Sequence, residues 1–476
     1  MPGGCLEGVW GCVMGRRTPF NFEQDGPYKK LGTHTCRLGS MGRARIFYPA
    51  ATEEEGSQSG TPHPSPKAAP YFLDGRESTA GLASAVNLGR LSFALMALSD
   101  KTLTSSVDAP PQIAGGPFPA TILFHGITSS PDLHNLLMQQ IASMGFVCIA
   151  PESPCGCAAY SRDTQGVLHG YAQPPSLEGE SDPRSVIQNF RRPQLSVRTE
   201  GMKDFLRLLE GDTEAAERAS QPEGFLTEWL RPVCDFSRFI LSGHSFGGAA
   251  CLKMMRELDG SYFDGMSKST GVCIRGSILL DPWPEPLTDL ELDSPIEIQK
   301  GDHPCSPPLP VLTIISEEWE KNQNRLGKLT QKFHQGVFSQ ATGLMGSAEG
   351  GASLRPFYSA QGSVHTSFSD VGFLAPSFIQ RGGNNPTLFH KALSACMCEF
   401  TQACFEKARV KGPEDTTQAW EVGGGGRFPW SQERLREAVT KRGGGGVTAQ
   451  LFADLHEEWG GVGGEGKGAE ERIRGG

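Results

Sequence analysis

The run Gly243-His244-Ser245-Phe246-Gly247-Gly248 constrains this chain more than any other feature. The apolar stretch Arg238-Phe-Ile-Leu-Ser242 leads into it, and a segment with helical character, Gly247–Leu258, leads out. A serine between glycines two places before and two places after it, at the junction of a strand and a helix, reads as a sharp turn that leaves the hydroxyl exposed. Such a turn needs a sheet whose neighbouring strands end at the same edge.

The chain around it supplies them. Arg43–Pro49, Ala120–Phe124, Phe146–Ala150, Ser277–Leu280 and Val311–Ile315 are short apolar runs that read as strands. Helical stretches over Leu133–Met144, Ser196–Leu209 and Thr387–Val410 alternate with them, the pattern of an α/β protein with a mostly parallel central sheet flanked by helices. A further helix is expected from about Ser78 to Leu98, where Leu88, Leu91, Leu95 and Leu98 recur at helical spacing. Residues 1–40 read as an irregular lead-in, residues 41–410 as the folded domain, and residues 155–192 as a polar, proline-rich excursion within it. Beyond Lys411, glycine runs at 423–426 and 443–446 flank a charged stretch, so residues 411–476 are expected to form a Gly-rich, disordered tail.

Composition excludes several function classes. A net charge of −9 argues against binding nucleic acid through bulk positive charge. The 13 cysteines include the pairs Cys155-Gly-Cys157 and Cys396-Met-Cys398, but no spacing completes a four-ligand metal site. Neither a metal nor another cofactor is expected, and reduced thiols point to a cytoplasmic chain. Eighteen consecutive apolar residues do not occur, Met1-Pro-Gly-Gly-Cys5 lacks a signal-peptide core, and Pro2 stands where myristoylation needs glycine.

A serine hydroxyl is a weak nucleophile and needs a base, an acid to orient the base, and donors for the oxyanion. In the order expected after a nucleophile turn, the acid comes next and the histidine last. Of His303, His334, His365, His390 and His456, only His365 sits in a loop suited to a positioned imidazole, Gly362-Ser-Val-His-Thr366. The acid stays open between Asp281, which ends one strand, and Glu317 or Glu318, which end the next. The Phe246 amide follows the serine, and the Ile127 amide follows Phe124-His125-Gly126 at another strand end; these are the candidate oxyanion donors.

Taken together, His125-Gly126, Gly243–Gly248, Leu280-Asp281-Pro-Trp283 and Gly362-Ser-Val-His365 with Phe368 and Asp370 resemble the platelet-activating-factor acetylhydrolase family, lipoprotein-associated phospholipase A2 type, over residues 26–410. The resemblance implies an α/β-hydrolase fold and a triad of Ser245, Asp281 and His365, with the acid closely preceding Trp283. It implies oxyanion donors at Ile127 and Phe246. It further implies calcium-independent hydrolysis of short or oxidised acyl chains at the sn-2 position of phospholipids. The helix over residues 82–98 lies where that family carries a membrane-touching helix, so a peripheral lipid contact is expected there. Ile127-Thr-Ser-Ser130 departs from the family's glycine-containing stretch, Pro282 and Pro284 bracket Trp283, and residues 153–192 diverge. These departures bear on acyl-chain preference.

Overall fold

The computed structural model describes residues 22–52, 67–89, 92–113, 115–163, 165–212, 214, 230–264, 271–293, 299–300, 303–304, 309–321, 357–360, 362–374, 385–409 and 452–454. Its centre is an eleven-stranded sheet. In chain order the strands are β1 Leu31–Arg37, β2 Arg43–Pro49, β3 Lys67–Pro70, β4 Thr102–Val107, β5 Phe118–Phe124, β6 Val147–Pro151, β7 Cys234–His244, β8 Ile274–Leu280, β9 Val311–Ser316, β10 Phe357–Ala360 and β11 Phe452–Asp454. Across the sheet they run β11-β10-β9-β8-β7-β5-β6-β2-β1-β4-β3. From β10 to β6 every pairing is parallel, and β2 then joins β6 antiparallel.

Side chains alternate across this sheet, which divides the core into two layers. Phe239 and Leu241 of β7 face one layer, with Ile122 and Phe124 of β5. Ile240 and Leu123 face the other. The first layer is closed by α4 Pro183–Leu209 and α5 Phe246–Glu257. The second is closed by α3 Asn135–Ser143 and α6 Pro386–Arg409, whose Leu136, Leu137, Ala392 and Leu393 are buried. The expected α/β-hydrolase architecture, a mostly parallel sheet between helices, is therefore what the chain forms.

Four local expectations need correction. Leu31–Arg37 is a strand rather than part of an irregular lead-in, and all seven of its residues pair with β2. Its two threonines and a histidine hide it from an apolar-run criterion. The excursion expected over 155–192 contains a small hairpin, Tyr160–Arg162 with Leu168–Gly170, and the start of α4. Pro183 opens that helix, and the Asp182 carboxylate caps it by accepting from Ser185 N–H at 3.2 Å. Interior Pro193 does not break it, so a composition-based reading starts the helix too late. The helix expected over Ser78–Leu98 is two pieces, α1 Arg76–Ala85 and α2 Ser92–Met96. Asn87 and Gly89 between them adopt left-handed φ values of 53° and 51°, a conformation that terminates helices. Finally, Phe452–Asp454 lies within the expected tail yet pairs with β10 as β11. The glycine runs at 423–426 and 443–446 lie outside the described residues.

Candidate active site

Strands β5, β7, β8, β9 and β10 run parallel, so their carboxyl ends meet at one edge of the sheet, the edge where sites form in open α/β folds. Chain continuation past those ends delivers His125-Gly126, Ser245, Asp281, the turn after Ser316, and the loop carrying His365.

Ser245 sits at the β7–α5 junction with φ 56° and ψ −118°, a conformation costly for any side chain other than glycine and a mark of functional strain. Close backbone approach explains its glycine neighbours. A Cβ on Gly243 would lie 2.2 Å from the Gly247 carbonyl oxygen, and one on Gly247 would lie 1.9 Å from that of Phe124. The strained turn is held from outside: Ser245 N–H donates to Leu280 O at 2.9 Å, and Trp283 N–H donates to Ser245 O at 2.9 Å.

The three residues expected to act together are joined by hydrogen bonds. Ser245 Oγ lies 2.9 Å from His365 Nε2, and His365 Nδ1 lies 2.7 Å from Asp281 Oδ2. Asp281 is fully buried, whereas Ser245 is 4 % exposed. Among the described residues, both remaining hydrogen bonds of the Asp281 carboxylate come from Ser316, whose backbone N–H donates to Oδ1 at 3.0 Å and whose hydroxyl donates to Oδ2 at 2.7 Å. The rival acids take other places. Glu317 accepts from Gly362 N–H at 2.5 Å, and Glu318 accepts from the backbone N–H of His365 at 2.8 Å. They bind the histidine's loop, not its ring.

Several supporting roles escaped the sequence reading. Trp319 stacks on the His365 ring with centroids 4.5 Å apart and planes 10° apart. His244 donates from Nε2 to the His365 carbonyl at 3.1 Å. Burial first, then the neighbouring His365 and His134 rings, hold His244 well below the usual histidine range, so it stays neutral. Asp370 accepts from Tyr71 OH at 2.7 Å and from Leu136 N–H at 2.9 Å, pinning the His365 loop to α3. Burial raises its carboxyl to about 7 against those hydrogen bonds. Ser316 was findable in principle, because it ends the strand beside the one that ends in Asp281. The roles of Trp319, His244 and Asp370 depend on loop packing, although Asp370 stands among the residues that carry the family resemblance.

The oxyanion candidates flank the serine. Phe246 opens α5, so its N–H belongs to the first helical turn, where backbone donors have no intrahelical acceptor. Gly126 lies against the serine side chain, a Cβ there falling 3.0 Å from Ser245 Cβ, which brings the Gly126–Ile127 peptide alongside. Arg198 donates to the His125 carbonyl at 2.7 Å, holding that loop from below. An imidazole between a hydroxyl and a buried carboxylate, with backbone amides near the hydroxyl, can carry out acyl transfer.

A family model, platelet-activating factor acetylhydrolase, isoform II, matches residues 30–392. The chain belongs to this family. It is a serine ester hydrolase. It is also 25% identical over 372 residues to the platelet-activating factor acetylhydrolase of Cavia porcellus, spanning 75% of this chain and 70% of that protein. Among solved structures it is similar to a ferulic acid esterase from Streptomyces cinnamoneus, with 18% identity, 80% of this chain and 91% of that one covered, and a TM-score of 0.48.

Proposed function

We propose that the chain hydrolyses the sn-2 ester of phospholipids bearing short or oxidised acyl chains, without calcium, through a covalent serine ester. The observation that carries this reading is the hydrogen-bonded line from Ser245 Oγ through His365 to buried Asp281, and membership of the acetylhydrolase family supports the substrate class. As Ser245 Oγ attacks the ester carbonyl, His365 Nε2 takes its proton. Asp281 steadies the resulting imidazolium through Nδ1–H. The N–H groups of Ile127 and Phe246 hold the oxyanion. His365 then protonates the departing lyso-phospholipid, and a water that it deprotonates releases the short acid.

A lipid surface supplies such a substrate, and the α1–α2 region is our proposed peripheral contact. Val86 and Met96 are 46% and 39% exposed there, while Leu82 and Leu98 face the core. Partial burial suits a surface contact rather than insertion. The side chains of Leu91 and Phe93 lie outside the described residues.

The test is acid release from phospholipids of graded sn-2 chain length, beside a soluble aryl ester, with Ser245→Ala as control and with and without a calcium chelator. The proposal expects chelator-insensitive turnover of the short-acyl phospholipids, abolished in the variant. Turnover confined to the aryl ester would indicate a general carboxylesterase. A folded protein inert on every ester would indicate a lipid-binding role. Either outcome refutes the phospholipid reading.

A further inference from the structure

Arg198 is an anomaly behind the site. It is 1 % exposed on α4, and no carboxylate lies in ion-pair contact with it among the described residues. Leaving a guanidinium buried without a counter-charge is costly. What Arg198 meets instead is sulfur: its Nη2 lies 2.7 Å from Cys157 Sγ, which lies 2.9 Å from Cys155 Sγ. It also contacts the His125 carbonyl at 2.7 Å, the His125 ring at Nδ1 at 3.5 Å and the face of the Phe246 ring at 4.9 Å. Arg198 therefore touches the residue after the nucleophile and the loop leading to Ile127. The cysteine pair holds the same loop directly, since Thr128 N–H donates to Cys157 O at 2.9 Å.

We infer that Cys155 and Cys157 form a redox modification site, a dithiol that a hydroperoxide converts to a disulfide, and that its oxidation state sets the geometry of the oxyanion donors. Cys155 is the attacking sulfur. It is partly exposed while Cys157 is buried. Burial opposes ionisation at Cys155, but the hydrogen bond from the Cys157 thiol and the charge of Arg198 outweigh it and lower its pKa, whereas the Cys157 thiol is pushed up. The Cys155 thiolate attacks one peroxide oxygen; the O–O bond breaks, and the departing hydroxide takes a proton to leave as water. The Cys155 sulfenic acid that remains is attacked by the Cys157 sulfur, which loses its proton. An S–S bond forms, the S–O bond breaks, and a second water departs. Two thiols have lost two electrons and one peroxide has gained them.

Oxidation removes the negative charge that balances Arg198. The guanidinium must then move or draw in an anion, and its contacts to the His125 carbonyl and the Phe246 ring move with it. The effect on activity rests on the proposed role of Ile127 and Phe246; formation of the disulfide does not. Removing one oxyanion donor costs roughly a hundredfold or more in rate, and a displaced pair of donors should cost about tenfold or more.

The experiment treats the full-length protein with hydrogen peroxide, maps its disulfides by mass spectrometry under non-reducing conditions, and follows ester hydrolysis before and after dithiothreitol. We expect a Cys155–Cys157 link, a mass loss of two hydrogens, and an activity drop of about tenfold that dithiothreitol reverses. Cys155→Ser and Cys157→Ser should each abolish the reversible component, read as the ratio of treated to untreated activity within each variant. A link from either cysteine to any third cysteine, or no link at all, overturns the proposal, and the wild-type map decides this even if a variant fails to fold. A Cys155–Cys157 link with unchanged activity overturns the coupling to the oxyanion donors. A protein that forms the link but never hydrolyses any ester contradicts the enzymatic reading separately.

Discussion

Replacing Asp281 with asparagine should abolish most activity while leaving the fold intact, and the hydrogen-bond geometry shows why. Among the described residues, Asp281 Oδ1 accepts only from the backbone N–H of Ser316 at 3.0 Å, a donor that cannot reverse. The asparagine oxygen must therefore occupy the Oδ1 position, which puts its NH2 at Oδ2. There it meets the Ser316 hydroxyl, which can rotate to accept, and His365 Nδ1 at 2.7 Å. An NH2 facing Nδ1 forces the proton onto Nε2, the atom that must receive the proton of Ser245. The wrong tautomer costs about 10⁴ in kcat, or about 5.5 kcal/mol of barrier at 1.36 kcal/mol per tenfold. Ser316→Ala keeps the backbone donor and loses one hydrogen bond to a charged group, so its penalty should be about tenfold. Initial-rate kinetics on a short-chain ester, with thermal melts to establish folding, would measure both. A folded Asp281→Asn enzyme within tenfold of wild type would refute the reasoning.

Other consequences concern the turn, the buried imidazoles and the surface. Gly247→Ala places a methyl 1.9 Å from the Phe124 carbonyl oxygen, so it should destabilise the protein by about 3 kcal/mol or more and lower the melting temperature. Burial holds His125 and His134 at about 3 and His390 at about 4, and holds His244 well below the usual range. Unfolded histidines titrate near 6.5, so the unfolded chain binds more protons below that pH, and the stability these neutral rings provide is lost as pH falls. Asp370, raised to about 7, binds its proton in the folded state and works in the opposite sense. Asp132 and Glu152, whose carboxyls burial also raises, add to that opposition, but the four rings outnumber the three carboxyls, so the melting temperature should fall between pH 6.5 and 5; a flat or rising profile would contradict it. Met96→Glu should weaken binding to phosphatidylcholine vesicles roughly fivefold, the loss of about 1 kcal/mol of apolar contact, while leaving turnover of a soluble ester unchanged.

How much of this was legible in the sequence depends on how local each signal is. The serine turn announced itself because steric demands at Gly243 and Gly247 are written into adjacent residues. The parallel strands β5 to β9 announced themselves because burial on both faces makes them continuously apolar; β10, Phe357-Tyr-Ser-Ala360, was not read as a strand. His365 was reached by requiring a base in a loop. Residue logic alone could not separate Asp281 from Glu317 and Glu318: all three follow strands at the same edge, and the choice turns on which carboxylate points at the imidazole. Leu31–Arg37 was hidden because Thr33, His34 and Thr35 interrupt its apolar residues, although it lies inside the sheet between β2 and β4. Arg198 lies inside the expected helix Ser196–Leu209, but it was invisible as a neighbour of the site because its place there depends on how α4 packs against His125 and the Phe246 ring.

The central claim is that Ser245 is the nucleophile. Reaction of the folded protein with a fluorophosphonate, followed by peptide mapping, tests it most directly. The account predicts a single adduct on Ser245, lost in Ser245→Ala and strongly slowed in His365→Ala. A folded protein that takes no adduct, or takes it on another serine, would contradict it.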